Sequence, residues 1–464
     1  MHDLAIIGAG PAGMAAALEA VSLDLAVLVV DEQDAPGGQV FRAVERAASD
    51  PALAGEYARD GATLVRAFRS APGVTYRPGA TLWHVDADTL HLSLLRGGVA
   101  EDVETRRLLL ATGAQERPVP VPGWTLPGVM GAGAAQILLK TAGAVPQGPV
   151  VIAGQGPLCW LIAVQMLRAG AGPVTLLETR RVNPAIAALR VGGLWAGRAA
   201  LQKGLTLMRE ARRLGLHVIG GARGLRAVGD TRVEGVRWDG GSIACDTLLL
   251  HEGVIPSTHI TRALGLDHRW DAAQMCWRPA LDAWGATSHD GIAVAGDGSG
   301  IGGWEAAVAR GRLAAIDAAC RLGRIDAAER DRRARPHRAA LRRALALRPF
   351  LDALYAPAPE VLAPTDDATI VCRCEEITAG QVRDAARLGA TGPNQAKAYL
   401  RSGMGPCQGR MCGTTVAALI AAERGIPIEQ AGALRPRAPF KPITVGALAG
   451  LAPPIPDTTG APHG

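Results

Sequence analysis

Four cysteines toward the C-terminal end are spaced C-x-C, then thirty-two residues, then C-x4-C, as Cys372, Cys374, Cys407 and Cys412. Thiolates are the natural ligands of iron–sulfur clusters, and four of them satisfy a [2Fe-2S] centre. Cys372 and Cys374 alternate on an extended segment, TIVCRCEEIT, while Cys407 and Cys412 fall in GMGPCQGRMCG. There Gly405, Gly409 and Gly413 would let backbone N–H groups approach the sulfurs and tune the potential. Cys412 would also open a helix whose positive end favours a negatively charged cluster. A zinc site prefers two C-x2–4-C knuckles, and disulfides belong to oxidising compartments, so both fit this spacing less well. The remaining cysteines, Cys159, Cys245, Cys276 and Cys320, are scattered and read as small buried hydrophobes.

A second constellation stands at the opposite end. Gly8, Gly10 and Gly13 form G-x-G-x-x-G directly after an apolar strand and at the start of a helix. Gly8 permits the tight turn, Gly10 lets a pyrophosphate approach the backbone, and Gly13 lets helix and strand pack closely. Pro11 suits the first helical turn, and Ala12 follows it. Eighteen residues after Gly13 come Asp31 and Glu32, carboxylates placed to accept from ribose hydroxyls. This predicts a dinucleotide without choosing FAD over NAD. The loop recurs at Gly154 and Gly156, but Cys159 replaces the third glycine, and Glu178 ends the next strand. Retention of that acid favours NAD over NADP despite Arg180 and Arg181. A working NAD site and a nucleotide-shaped unit without nicotinamide are equally open there.

The elements that must hold these loops follow from pattern. LAIIG, a helix and LAVLVVD make one βαβ unit, and VVIAG, a helix and PVTLLE make another. Short alternating strands such as VTYRPGATLWHVDADTLHLSLL lie between and after them. The strand in GIAVAGDG, with a helix from about Gly303 to Arg321, completes the first unit and makes it discontinuous. The expected division is 1–118 with 286–335 for the first unit and 119–285 for the second. A helix and proline-rich linker at 336–367, a cysteine module at 368–430 and an extended tail at 431–464 follow. A chain of 464 residues with 48% apolar residues is large enough for such cores, and disorder is expected only in the Pro-rich last dozen residues. The N-terminus reads as a first strand with no leader, no apolar run is long enough to span a bilayer, and a cytoplasmic location is expected. The net charge of +6 is mostly arginine. The dense run from Arg330 to Arg343 reads as a solvated helical face with no nucleic-acid motif. No histidine of the ten, His84, His251 and His289 among them, stands in a catalytic motif, and no catalytic residue is assigned.

PGGQ (Gly38, Gln39), LLLATGA (Thr112, Gly113) and GIAVAGDG (Gly296, Asp297) resemble the further FAD motifs of the glutathione-reductase and thioredoxin-reductase superfamily. The resemblance implies FAD, with Asp297 on the ribityl chain, Gly38 and Gln39 near the flavin, and Leu82 meeting the adenine through its backbone. No CxxC pair is present for disulfide chemistry. GPCQG-x-x-C resembles the bacterioferritin-associated-ferredoxin type of [2Fe-2S] domain. The implied fold is α/β, two nested Rossmann-like domains plus a small helical [2Fe-2S] domain.

ATGAQERPVPVPGWTLPGVMGAGAAQ, VLVVDEQDAPGGQVFRA and the two cysteine segments, taken together, resemble the α subunits of bacterial heteromeric flavin and iron–sulfur dehydrogenases. That family acts on opines, D-hydroxyproline and, in hydrogen cyanide synthase, glycine; sarcosine oxidase α subunits are related but carry a further C-terminal domain. The resemblance covers Met1 to about Gly446. It implies that an amine is oxidised on a β subunit of amino-acid-oxidase type, that FMN sits at the subunit interface, and that a small ferredoxin-like γ subunit can be present. Arg373 and Arg410 near the cluster are candidate contacts for an acidic electron partner, with plain solvation equally open for both. The competing readings are a self-sufficient NAD(P)H-dependent flavin and [2Fe-2S] reductase, and a module that delivers or senses iron.

Overall fold

The computed structural model describes residues 1–191 and 197–451; the proline-rich last dozen residues lie outside them. Buried aliphatic strands predict parallel sheets covered on both faces, and two are present. The first runs in the order Ile292–Val294, Leu108–Leu110, Leu4–Ile7, Val27–Asp31, Val74–Pro78, all parallel. The second runs His217–Gly220, Val174–Glu178, Val150–Gly154, Thr247–His251, Val129–Gly131, again all parallel. Each carries a three-stranded antiparallel meander, at Ala80–Asp86, His91–Arg96, Val99–Glu104 and at Arg226–Val228, Gly235–Trp238, Gly241–Ala244.

The strand Ile292–Val294 enters the first sheet nearly two hundred residues after its neighbour Leu108–Leu110. Its following helix, Trp304–Arg321, lies against the first helix, Pro11–Val21, so closely that a side chain on Gly311 would overlap the Ala12 carbonyl.

The expected boundary at Pro336 falls inside one helix, Ala327–Leu345. Pro336 removes a single backbone donor there, and the turn before it is reinforced by Glu329, which pairs with Arg332 and Arg333 at 2.6 Å each. Arg330 and Arg338 both stack on the Trp284 ring, 4.4 and 4.3 Å from its centroid. The arginine run is thus largely committed to the chain's own groups.

Two short helices, Arg348–Leu354 and Pro359–Leu362, occupy the expected linker. The cysteine module packs Ala379–Arg387, Pro393–Leu400 and Gly413–Arg424 around Val371, Val382, Val416, Leu419 and Ile420. The first of these helices opens with a capping box between Thr378 and Gln381. The tail then runs back over the first unit: Phe440 is buried, its N–H donates to the Trp83 carbonyl at 2.7 Å, and Lys441 pairs with Glu32 at 2.9 Å. Among the described residues no helix is long and apolar enough to cross a membrane.

Candidate functional site

The first glycine loop has the geometry that an anion needs. Gly8 has φ +107°, and a Cβ there would lie 2.5 Å from the Ala111 carbonyl oxygen; one on Gly13 would overlap the Gly8 carbonyl. Gly10 and Gly38 face each other so closely that a Cβ on Gly38 would stand 2.9 Å from the Gly10 Cα. The helix Pro11–Val21 starts with Pro11 and has no side-chain cap, so its first N–H groups remain available to a phosphate. Asp31 is turned into this loop: Oδ2 accepts from the Ala9 N–H at 2.6 Å and Oδ1 from the Gln33 N–H at 2.8 Å. Burial raises its pKa above the ordinary carboxylate value, against those two bonds. Asp31 therefore shapes the loop, while Glu32 stands half exposed beside Lys441.

The flavin-type motifs gather around the same end of the sheet. One carboxylate oxygen of Asp297 accepts from the Gly302 and Gly303 N–H groups at 2.9 and 3.0 Å, fixing the turn from Gly296 into the last helix. Thr112 and Gly113 follow the strand Leu108–Leu110, the neighbour of the central strand Leu4–Ile7, after Ala111. Leu82 is buried in the meander next to Trp83. The Gly38–Gln39 segment is held from the second unit by Lys140, a residue that sequence reasoning passed over. Its Nζ donates to the carbonyls of Gln39 at 3.1 Å and Val40 at 2.9 Å, and burial pushes its pKa down to about 7.

Around the second loop the residues are engaged with one another. Gly154 leaves room for the His251 carbonyl, and Cys159 is fully buried at the helix start, as a small hydrophobe would be. Gly156 has φ +103° and open space beside it. Glu178 pairs with Arg180 at 3.2 Å, Arg181 pairs with Glu360 of the linker, and Gln155 Nε2 donates to Glu252 at 2.7 Å and to the Ala356 carbonyl at 3.3 Å. Tyr355 is half-buried and close enough to Glu178 and Arg180 to feel both charges. The linker thus lies across the strand ends where an open α/β sheet takes its ligand. His251 is buried and bonded to Glu116 at 2.7 Å, and Glu116 also accepts from the Gly133 N–H.

The four cysteines converge as two pairs. The thiols of Cys372 and Cys412 lie within hydrogen-bonding reach of each other, as do those of Cys374 and Cys407. Among the described residues no three His, Cys, Asp or Glu side chains converge on a point for one ion. Two pairs suit two irons with two thiolates each better than a single tetrahedral zinc. Cys372 is pushed down to about 5, first by the bond from Cys412 and then, against burial, by backbone N–H groups of Gly403, Glu375 and Cys374. Those amides are placed to serve a cluster sulfur ligand. The glycines around the thiols serve different neighbours. Gly405 does pack against Cys374, where a Cβ would overlap, but Gly409 and Gly413 make room for Leu434, and Gly403 supplies the amide to sulfur. Cys412 occupies the N-cap position of the helix Gly413–Arg424 without a side-chain capping bond. Arg410, a candidate partner contact, is turned inward, donating to the Phe440 carbonyl at 2.6 Å; Arg373 lies over the Trp124 ring at 5.4 Å. Of the four thiols that of Cys374 is exposed, Cys407 is half-buried, and the other two are buried.

Comparison with known proteins agrees with these two sites. The family described as pyridine nucleotide-disulphide oxidoreductase matches residues 2–311, and the BFD-like [2Fe-2S] binding domain matches residues 370–422. A subunit of the opine oxidase of Rhizobium meliloti is 43% identical over 97% of this chain and 88% of its own length. The HcnB subunit of the hydrogen cyanide synthase of Pseudomonas aeruginosa is 32% identical over 96% of this chain and 98% of its own. L-proline dehydrogenase from P. horikoshii shares the fold, with a TM-score of 0.71 at 20% identity over 96% of this chain and 79% of that one. These domain types imply FAD and a [2Fe-2S] cluster. The chain belongs to the pyridine nucleotide-disulphide oxidoreductase family, as a relative of that opine oxidase protein and of HcnB that carries a BFD-like [2Fe-2S] domain.

Proposed function

We propose that this chain is the electron-transferring subunit of a multi-subunit flavin and iron–sulfur dehydrogenase that oxidises an amine or amino-acid derivative, an opine or D-hydroxyproline, at its CH–NH bond. The carrying observation is whole-length kinship at 43% identity to a protein named as one subunit of an opine oxidase. An amino-acid-oxidase-like flavoprotein β subunit would hold the amine, with FMN at the interface between the two and a small ferredoxin-like γ subunit as a further member. Both carriers would work in the cytoplasm.

In this reading Gly8, Gly10 and Gly13 admit the pyrophosphate of FAD, Glu32 stands beside the ribose, and Gly38, Thr112, Gly113, Gly296 and Asp297 shape the flavin end. Cys372, Cys374, Cys407 and Cys412 hold the cluster. When bound, the flavin would exchange electrons in pairs or singly and the cluster one at a time. The protein's own part is to exclude water from the buried thiols, to point amides at Cys372, and to hold the cluster loop on the first unit through the Gln115 bond to Arg410, 2.8 Å long.

The reading as an NAD(P)H-dependent reductase keeps some support in Gly154 and Gly156, the first two glycines of the second loop, and in Glu178. Against it stands the linker, with Tyr355 and Ala356 over those strand ends. Co-expression with an amino-acid-oxidase-like partner tests the proposal. A stable complex that oxidises an opine is expected, and full amine oxidation by this chain alone would refute it.

A further inference from the structure

The loop between Cys407 and Cys412 is fastened to the first nucleotide-binding unit by amide side chains. Gln115 stands two residues after Gly113, on the short strand Ala114–Glu116, and its Nε2 donates to the Arg410 carbonyl at 2.8 Å. That single bond joins the end of the flavin-type strand to the middle of the cluster loop. On the other side of the loop Gln408, next to Cys407, donates through Nε2 to the Pro439 carbonyl at 2.7 Å. Its Oε1 stands 3.0 Å from His259 Nε2.

Gln408 has φ +46°, a left-handed conformation for a residue with a side chain. Such a backbone is strained and persists only where its surroundings over-determine it, commonly at functional positions. Here the surroundings are two hydrogen bonds, one to a buried histidine and one to the returning tail. Between Gln115, His259, Gln408 and Arg410 remains a cavity of about 30 Å3, room for water alone. The polar side chains of Thr258 and Arg262 line it as well, together with Ile255, Trp277 and Leu434.

We propose that Gln115, Gln408 and His259 are positioning residues for electron transfer, holding the Cys407–Cys412 loop in register with the strand that leaves Thr112–Gly113 and thereby setting the cluster's reduction potential and the rate of electron exchange with the flavin. The inference rests on the electron-transfer reading above. With both groups bound, the step would move one electron: a reduced flavin would lose one equivalent and one cluster iron would pass from ferric to ferrous, with no bond made or broken in the protein. Hydrogen bonding and solvent access around the cluster ligands are the levers that tune such centres.

The test uses the purified holoprotein with Gln115→Glu, which keeps the length but sets a carboxylate against a carbonyl, and separately His259→Phe. Iron, sulfide and flavin contents should match the unsubstituted protein. The cluster potential in a dithionite redox titration should move, its EPR g values should shift, and flavin-to-cluster transfer after photoreduction should slow about tenfold. Unchanged potential and unchanged rate in both variants, with cofactors retained, would overturn the proposal. If Gln115→Glu does not load its cluster, Gln115→Met replaces it under the same criteria. A protein purified without flavin would count against the functional reading, while the potentials, read on the cluster alone, would still decide this one.

Discussion

Cys407 shows how much a single residue carries. It pairs with Cys374 and borders the αL residue Gln408, so Cys407→Ser should abolish the rhombic low-temperature EPR signal of the reduced centre; persistence of that signal would remove Cys407 from the ligand set. The cysteines and the glycines of the first loop were legible because their chemistry demands fixed types at fixed spacing. Lys140, Gln115 and His259 were not, because their partners lie about 100, 295 and 149 residues away and no motif names them. Two histidines beside Arg262, His259 buried and His268 half-buried, give a pH prediction. His259 and His268 are each pushed down to about 4, first by burial and then by a neighbouring guanidinium, Arg410 and Arg262 respectively. Between about pH 6.5 and 4 the unfolded chain therefore binds more protons than the folded one. The stability these histidines contribute is complete above about pH 6.5 and is lost as the pH falls toward 4, by at most roughly 1.4 kcal/mol per pH unit for each. Urea titrations across that window should show the loss, and it should shrink in His268→Gln.

The linker is the element whose role pattern reading could not supply. Prolines at 357, 359 and 364 announce a connection, but not that Tyr355 and Ala356 would lie against Gln155 and Glu178. That placement is a matter of tertiary packing, with Phe350 and Leu354 buried against Ala187. It predicts that NADH mixed with the holoprotein leaves the flavin absorbance unbleached over seconds; rapid bleaching would show that the crevice opens. The helix Ala327–Leu345 makes a similar point, since Pro336 reads as a stop and Glu329 with its arginines reads as a continuation. Trp284→Ala removes the ring that Arg330 and Arg338 share and should cost about 1–2 kcal/mol in thermal or urea unfolding. No loss would mean that both guanidinium groups are as well placed in water.

In the assembled chain, two parallel-sheet units and a cluster module are joined by a tail that returns to the first glycine loop, where Lys441 meets Glu32. The α/β class and the cluster module were readable from periodicity and cysteine spacing, because sheets buried on both faces and four-thiolate sites leave strong local patterns. How the module seats on the first unit was not, since it depends on side-chain amides and on Phe440 filling the meander. Under the proposed function the cluster would be the outlet for electrons that arrive from a partner subunit. EPR after anaerobic mixing with an opine tests this most directly. The reduced-cluster signal should appear when the amino-acid-oxidase-like partner is present and stay absent with this chain alone. A signal from the isolated chain and the opine would contradict the proposed division of labour.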